Sequence, residues 1–249
     1  MKHNFRIFAV LFFAAIVSGI VPQAIALDED QDQDYQRARK LLTEENFVEA
    51  MNILKELERE NPDDFRVQLA IIDTNVDHAR MLKGNNDPSW KAKVYTAFND
   101  LKAIYRAHQS SPEVYLSFAK CYALNDRFQK ARKSLKKAFF YNPGSADGLI
   151  VQGDIYFDRA KQMAENVFDK DAEQEGYRAK RFAIKSYEDA MNSGGLNPET
   201  KAMISYKLGD LYNHFRQKDK AREYWTKAAQ ADSEGYWIKK SQDRLTFLN

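Results

Sequence analysis

The side chains able to do chemistry in this sequence are scattered. His78, His108 and His214 lie far apart, with no H-E-x-x-H spacing to bring two imidazoles to one face of a helix and toward a metal. Asp30, Asp32 and Asp34 alternate as the first ligands of a calcium loop do. Such a loop also needs Gly at the sixth place and Glu at the twelfth, and those places hold Tyr35 and Leu41. Cys121 is the single cysteine, so an intramolecular disulfide is impossible, and beside Ala119 and Tyr122 it reads as a small buried thiol. There is no Gly-rich phosphate loop, nucleophile elbow or Cys pair. Carboxylates are abundant, but where 30% of residues are charged, their pairing along helices is expected and marks no catalytic constellation. The residues therefore point to a chain that is not an enzyme and takes no metal or cofactor.

The N-terminus carries an address. Lys2 and Arg6 precede a nearly all-apolar run from Ile7 to Ile20, followed by Pro22 and the small-x-small site Ala24-Ile25-Ala26. This is the pattern of a secretory signal peptide over residues 1–26, cleaved before Leu27. The run is short for a span of about 20 residues, and no Cys follows it to take a lipid, so the mature chain is expected to be periplasmic or secreted, without stable membrane insertion. An acidic leader, residues 27–34, follows. Removing residues 1–26 leaves 36 basic against 36 acidic side chains. A balance near zero argues against nucleic acid as a partner, which calls for a basic domain.

The elements that must position any site are helical. In residues 112–145, Tyr115, Phe118, Ala119 and Tyr122 share one helical face, Leu124-Asn125-Asp126-Arg127 makes a turn, Phe128, Ala131, Leu135 and Ala138 share a second face, and Pro143 stops it. Small residues at Ala119 and Ala131 let two helix backbones approach closely while large ones fill the flanking space. The pattern recurs. Gly153 and Tyr156 stand one repeat length after Ala119 and Tyr122, Gly209 and Tyr212 open a further copy with Ala221, Trp225 and Ala228, and Ala50 stands to Pro62 as Ala131 stands to Pro143.

This order of aromatic, large and small residues resembles the tetratricopeptide repeat (TPR). The resemblance covers nearly all of the chain from Gln31 onward, most clearly in the first, third and fifth units. It implies an all-α, right-handed TPR solenoid of about five helix-turn-helix units, at 31–64, 65–111, 112–145, 146–201 and 202–235, with a capping helix at 236–249. Trp237, Ile238, Leu245 and Leu248 form the cap's apolar side. The second unit departs from the pattern: its first helix, Phe65 to Lys83, is long and has Ile72 at the small-residue place, and Ser89 is the expected cap of its second helix. The fourth carries a charged insertion, Lys161 to Gly176, expected to extend its helical hairpin.

The resemblance also implies where a ligand would sit. Side chains from the first helix of each unit line the concave groove, and the family's register places there Tyr35, Arg39 and Leu42, then Leu116, Lys120 and Ala123, then Ile150, Asp154 and Phe157, and finally Tyr206, Asp210 and Asn213. The family's carboxylate clamp requires Lys and Asn at the first two places; Tyr35 and Arg39 stand there, so that activity is not implied. The expected groove is an apolar and aromatic strip with cations toward one end and acids toward the other, suited to a peptide of mixed charge. The competing expectation is that the cap or neighbouring turns bury the strip. Second helices line the outer, convex side, where Arg127, Lys130, Arg132, Lys133, Lys136 and Lys137 form a basic face with no acid among residues 127–137. It is either a solvated face, a contact for an anionic partner, or a counterpart of the acidic first unit. The function implied is a scaffold holding a protein or peptide of the cell envelope. The alternatives are a self-assembling structural solenoid, which would make the chain a homo-oligomer, and, remotely, an envelope glycan-handling enzyme.

Overall fold

The computed structural model describes residues 27–165, 169–231 and 235–247, so the expected signal peptide and Leu248 lie outside the described residues. These contain α-helices and no strand. The helices are α1 (Glu29–Thr43), α2 (Phe47–Glu60), α3 (Phe65–Gly84), α4 (Trp90–Tyr105), α5 (Pro112–Leu124), α6 (Phe128–Tyr141), α7 (Ala146–Ala164), α8 (Lys170–Asn192), α9 (Pro198–His214), α10 (Lys218–Ala229) and α11 (Tyr236–Phe247).

Most of the helices start at a local signal, while α4, α6 and α10 have no side-chain cap bond. Asp28 and Gln31 form a reciprocal capping box on α1, and the acids that follow occupy its first turn, where the helix dipole favours them. The acidic stretch is thus the start of the first helix, not a leader ahead of it. Asn46, Asp64, Ser111, Ser145, Asp169 and Asn197 cap α2, α3, α5, α7, α8 and α9 through their side chains, and Pro112 and Pro198 follow two of these caps. Ser89, the expected cap of α4, makes no side-chain cap bond: its backbone is already helical, not in the extended conformation that turns a capping oxygen toward the first turn, and its N–H donates to Asp87 Oδ1 at 2.9 Å. Within the α1–α2, α5–α6 and α9–α10 hairpins, and just after α3, one non-glycine residue adopts the left-handed conformation that ends a helix abruptly: Glu45, Asp126, Arg216 and Asn86.

Consecutive helices pair as antiparallel hairpins, and each hairpin stacks on the next first helix. Close approach occurs where small residues fall. Ala38, Ala50, Ala119 and Ala131 are fully buried. A Cβ on Gly153 would lie 2.5 Å from the Tyr187 ring, and one on Gly209 2.4 Å from the Trp225 ring. In the second hairpin, Ile72 fills the small-residue place and packs with Val94, Ala97 and Leu101. The insertion in the fourth hairpin continues α7 as far as Ala164 and forms the first turns of α8 from Lys170, with Gly176 letting α8 lie close to Met163. The apolar core is accordingly divided into four clusters along the array, as expected when each unit covers its neighbour's face.

Candidate functional site: a concave cavity crossed by ion pairs

The first helices of the five hairpins, with α11, enclose a concave cavity of about 1310 Å³. Helical periodicity sets its lining: α3 presents Arg66, Leu69, Asp73, Asp77 and Arg80, and α9 presents Met203, Tyr206, Lys207 and Asp210. All of the groove residues expected from the register line it except Asn213. Asn213 is exposed, one residue from the end of α9 and beyond the stretch that faces the cavity.

Two findings correct the expected character of the groove. First, Leu116, Ile150, Phe157 and Tyr206 are all buried, so the strip belongs to the core. The cap covers part of it: Trp237 packs 5.1 Å from the Tyr206 ring, and Phe157 meets His214 from the neighbouring α9. Second, cations and acids do not separate toward opposite ends but pair across the floor. Lys120 Nζ donates to Asp77 Oδ2 at 3.1 Å and lies 3.5 Å from Asp73, which also accepts from Ser117 Oγ at 2.7 Å. Asp154 receives Arg80 and Lys207, both at 2.7 Å, and the Tyr187 hydroxyl at 2.6 Å. Arg80 also holds Asp158 at 2.8 Å, and Lys161 reaches the same carboxylate at 2.9 Å. Arg80 thus spans from α3 to α7, over the hairpin between them.

These contacts set the charge states. Burial pushes the Asp154 carboxyl up, but Arg80, Lys207 and the hydrogen bonds more than offset it and hold it well below the usual carboxylate range. Asp158 is lowered in the same way, with burial opposing Arg80 and Lys161. Burial lowers Lys120, yet Asp73 and Asp77 raise it above an ordinary lysine. Asp210 goes the other way: burial raises it despite Arg244 Nε at 3.3 Å. The cavity floor therefore carries full charges of both signs at neutral pH. Arg39 on α1 is exposed and makes no ion pair among the described residues; Met81 and the half-buried Leu42, Ala123 and Met203 supply apolar wall.

The two ends of the array meet over the cavity. Glu45, in the α1–α2 turn, accepts hydrogen bonds from the Tyr236 hydroxyl at 2.8 Å and from Lys240 Nζ at 2.6 Å, both on α11. Residues 191 and 195 positions apart are joined in this clasp.

The register leaves α3 and part of α9 out of the expected lining. Carried from the other hairpins to α3, it reaches Leu69 and Asp73; nothing local marks Arg80 or Lys207. Lys207 does repeat a position: it stands in its unit where Ser117 stands in the third, and each donates to the acid of the next first helix back along the cavity floor, Asp154 and Asp73. The histidines stay apart. His78 stacks on Phe47, His108 on Phe65, and His214 meets Phe157 edge-on, so each fills a packing position. Among the described residues no group of His, Cys, Asp and Glu could hold a metal ion.

The basic outer face lies on α6. Arg127, Lys130, Arg132, Lys133, Lys136 and Lys137 are exposed and in no ion pair among the described residues, while Lys130 and Lys137 sit over the Tyr122 and Tyr115 rings. Several acids of the first hairpin are already paired within it: Glu49, Glu56 and Glu58 with Arg37, Arg59 and Lys55.

No protein-family profile and no curated protein matches the sequence. Among solved structures, TTC0263, a thermophilic TPR protein of Thermus thermophilus, superposes with a TM-score of 0.59 at 16% identity, covering 88% of this chain and 98% of that one. The MamA protein aligns over 87% of this chain and 96% of its own at 17% identity, with a TM-score of 0.41. Five helical hairpins stacked by small-to-large packing, a C-terminal helix closing the last one, and the superposition on TTC0263 identify the chain as a protein of the TPR fold, an all-α solenoid.

Proposed function

We propose that the chain is a non-enzymatic scaffold that takes a segment of an envelope protein into its concave cavity. The cavity carries this reading: about 1310 Å³, lined in turn by every first helix and by the cap, with charged side chains of both signs fixed in place. Charges held by partners and packing are pre-organised, so a segment of complementary mixed charge meets them without the entropy cost of ordering free side chains. Recognition rests on these polar walls and on Arg39, with Leu42, Ala123, Met81 and Met203 as small apolar contacts, in the manner of an extended or helical peptide laid in a groove. The N-terminal apolar run and the Ala24-Ile25-Ala26 site support export, and mass spectrometry of the cellular protein should find it starting at Leu27; a species retaining residues 1–26 would overturn that part.

The self-assembling alternative needs two open ends, and the Glu45 clasp that engages both weighs against it. A photo-crosslinking amino acid at Thr43 or Ala123 should give adducts with one partner protein in cells, absent when it replaces Lys218 on the outer helix α10. Absence of adducts, or the same adducts from Lys218, would overturn the groove reading, and adducts of twice the chain's own mass would establish self-assembly instead.

A further inference from the structure

The outer helices carry a second pattern, independent of the cavity. On α6, Phe140 is 78% exposed, and helical geometry places it at the centre of the cationic face, four residues after Lys136 and seven after Lys133, with Arg132 and Lys137 flanking. The same arrangement occurs on the outer helices on either side. On α4, Tyr95 is 71% exposed with Lys91 four residues before it and Lys102 seven after. On α8, the exposed Phe182 lies between Arg178 and Lys185, the latter paired with Asp189 at 3.0 Å, and Tyr177 stands four residues before Arg181. Residues 127–141 contain no acid, nor do residues 176–187. On α2 and α10, Lys55, Arg59 and Lys227 are each paired with a carboxylate of their own helix.

We infer that the convex face built on α4, α6 and α8 is a docking surface for an anionic phospholipid membrane. Three features favour lipid over an acidic protein. The cations of α6 are mostly lysines, which protein interfaces avoid and anionic headgroups attract. Phe140 meets the adjacent Tyr141 edge-on and Phe182 stacks on Tyr156 of its own hairpin, but the exposed aromatics of the three helices do not gather into one apolar centre, as a protein hot spot would require; rings set amid lysines suit the headgroup boundary, where an apolar body and nearby charge are both satisfied. The face is also the outside of a solenoid, so it meets a broad surface while the concave side stays open. Nothing in this inference depends on what the cavity holds. No helix among the described residues is long and apolar enough to cross a membrane, so the contact is peripheral.

The test uses the full chain, with a spin label at Gln129→Cys on the outer side of α6 and a second at Asp219→Cys on α10 as control, because an N-terminal apolar run could itself bind vesicles and a local label reads the face directly. With vesicles of equal parts phosphatidylglycerol and phosphatidylcholine, the Gln129 label should become immobilised and lose access to a water-soluble relaxant, while the control stays unchanged. Phosphatidylcholine alone should leave both unchanged. Raising salt should reverse the effect, since exposed charges are screened over about 8 Å at physiological ionic strength. The triple variant Lys133→Gln, Lys136→Gln, Lys137→Gln should lower label immersion roughly fivefold in partition per lysine, with an unchanged circular dichroism spectrum. Should that variant fail to fold, Phe140→Ser in otherwise native protein must still reduce immersion. A Gln129 label indifferent to anionic vesicles overturns the proposal, as does a folded triple variant that binds as the native chain does. So does a label immobilised by poly-glutamate and not by vesicles, which would assign the face to an acidic protein.

Discussion

Single residues in this fold act through close approach and through charge held out of water. Gly209 is where α9 touches the Trp225 ring, and an added methyl at 2.4 Å cannot be accommodated without moving a fully buried indole. Gly209→Ala should therefore lose about 1–3 kcal/mol, the usual range for overpacking a filled core, measured by urea unfolding; an unchanged midpoint would mean that Trp225 moves freely. Asp154 is the corresponding case for charge. Asp154→Asn leaves Arg80 and Lys207 facing each other without their shared carboxylate, and stability should fall by about 3 kcal/mol. Asp158→Asn should lose less, because Asp158 is more exposed than Asp154 and Arg80 keeps its other partner. Cys121 is inert by the same logic. Burial pushes its thiol up to about 12, so alkylation in the native protein should proceed only at the rate of local opening, and labelling at the rate of a free thiol would show the third hairpin to be open.

At the scale of the element, the first helices are tied by the charge ladder as well as by apolar packing, and the ladder has a pH signature. Asp154 and Asp158 titrate below an ordinary carboxylate, whose value is about 3.9 when unfolded. Their contribution is fully present above that value and is lost as pH falls through the depressed folded values, so the melting temperature should drop on acidification below about pH 4. Asp210 has the opposite sign. Its folded carboxyl is raised, so protonation of this group on acidification favours the folded state and partly offsets the loss. The acid-induced drop should be smaller in Asp154→Asn than in the native chain although that variant starts lower; an identical drop would place the acid lability elsewhere.

At the scale of the whole molecule, the chain is a curved array whose ends are joined by one carboxylate. The Glu45 contacts to Tyr236 and Lys240 are half exposed, so Glu45→Gln should change stability by less than about 1 kcal/mol. Its expected effect is on shape. Energy transfer between labels at Val48→Cys and Lys239→Cys should report a longer and broader end-to-end distance in Glu45→Gln, and the native distribution in that variant would show that packing alone closes the ring. The four separate core clusters also imply that unfolding spreads from weak hairpins along the array and not through one central core.

Much of this was legible in residues alone because the determinants are local. The spacing of Ala119, Tyr122, Ala131 and Pro143, and its return at Gly153 and Gly209, specifies hairpins of a given length and a small-to-large contact, since helix period and side-chain volume act within one or two turns. The register carried from one hairpin to the next reached the cavity lining in four first helices and failed at Asn213, where the end of α9 passes beyond the cavity; on α3 it reaches Leu69 and Asp73 but not Asp77 or Arg80. Tertiary structure alone decided which charges meet and what is covered. Arg80 and Asp154 are 74 residues apart, and Glu45 and Lys240 195 apart; these pairs form only because small rotations between successive hairpins add up to a curvature that no single unit encodes. Stacking of α11 on α9 and α10 lays Trp237 over Tyr206, and packing between neighbouring hairpins buries Leu116, Ile150 and Phe157, so the expected open apolar strip is core and the charged residues of the concave side are left as its exposed chemistry.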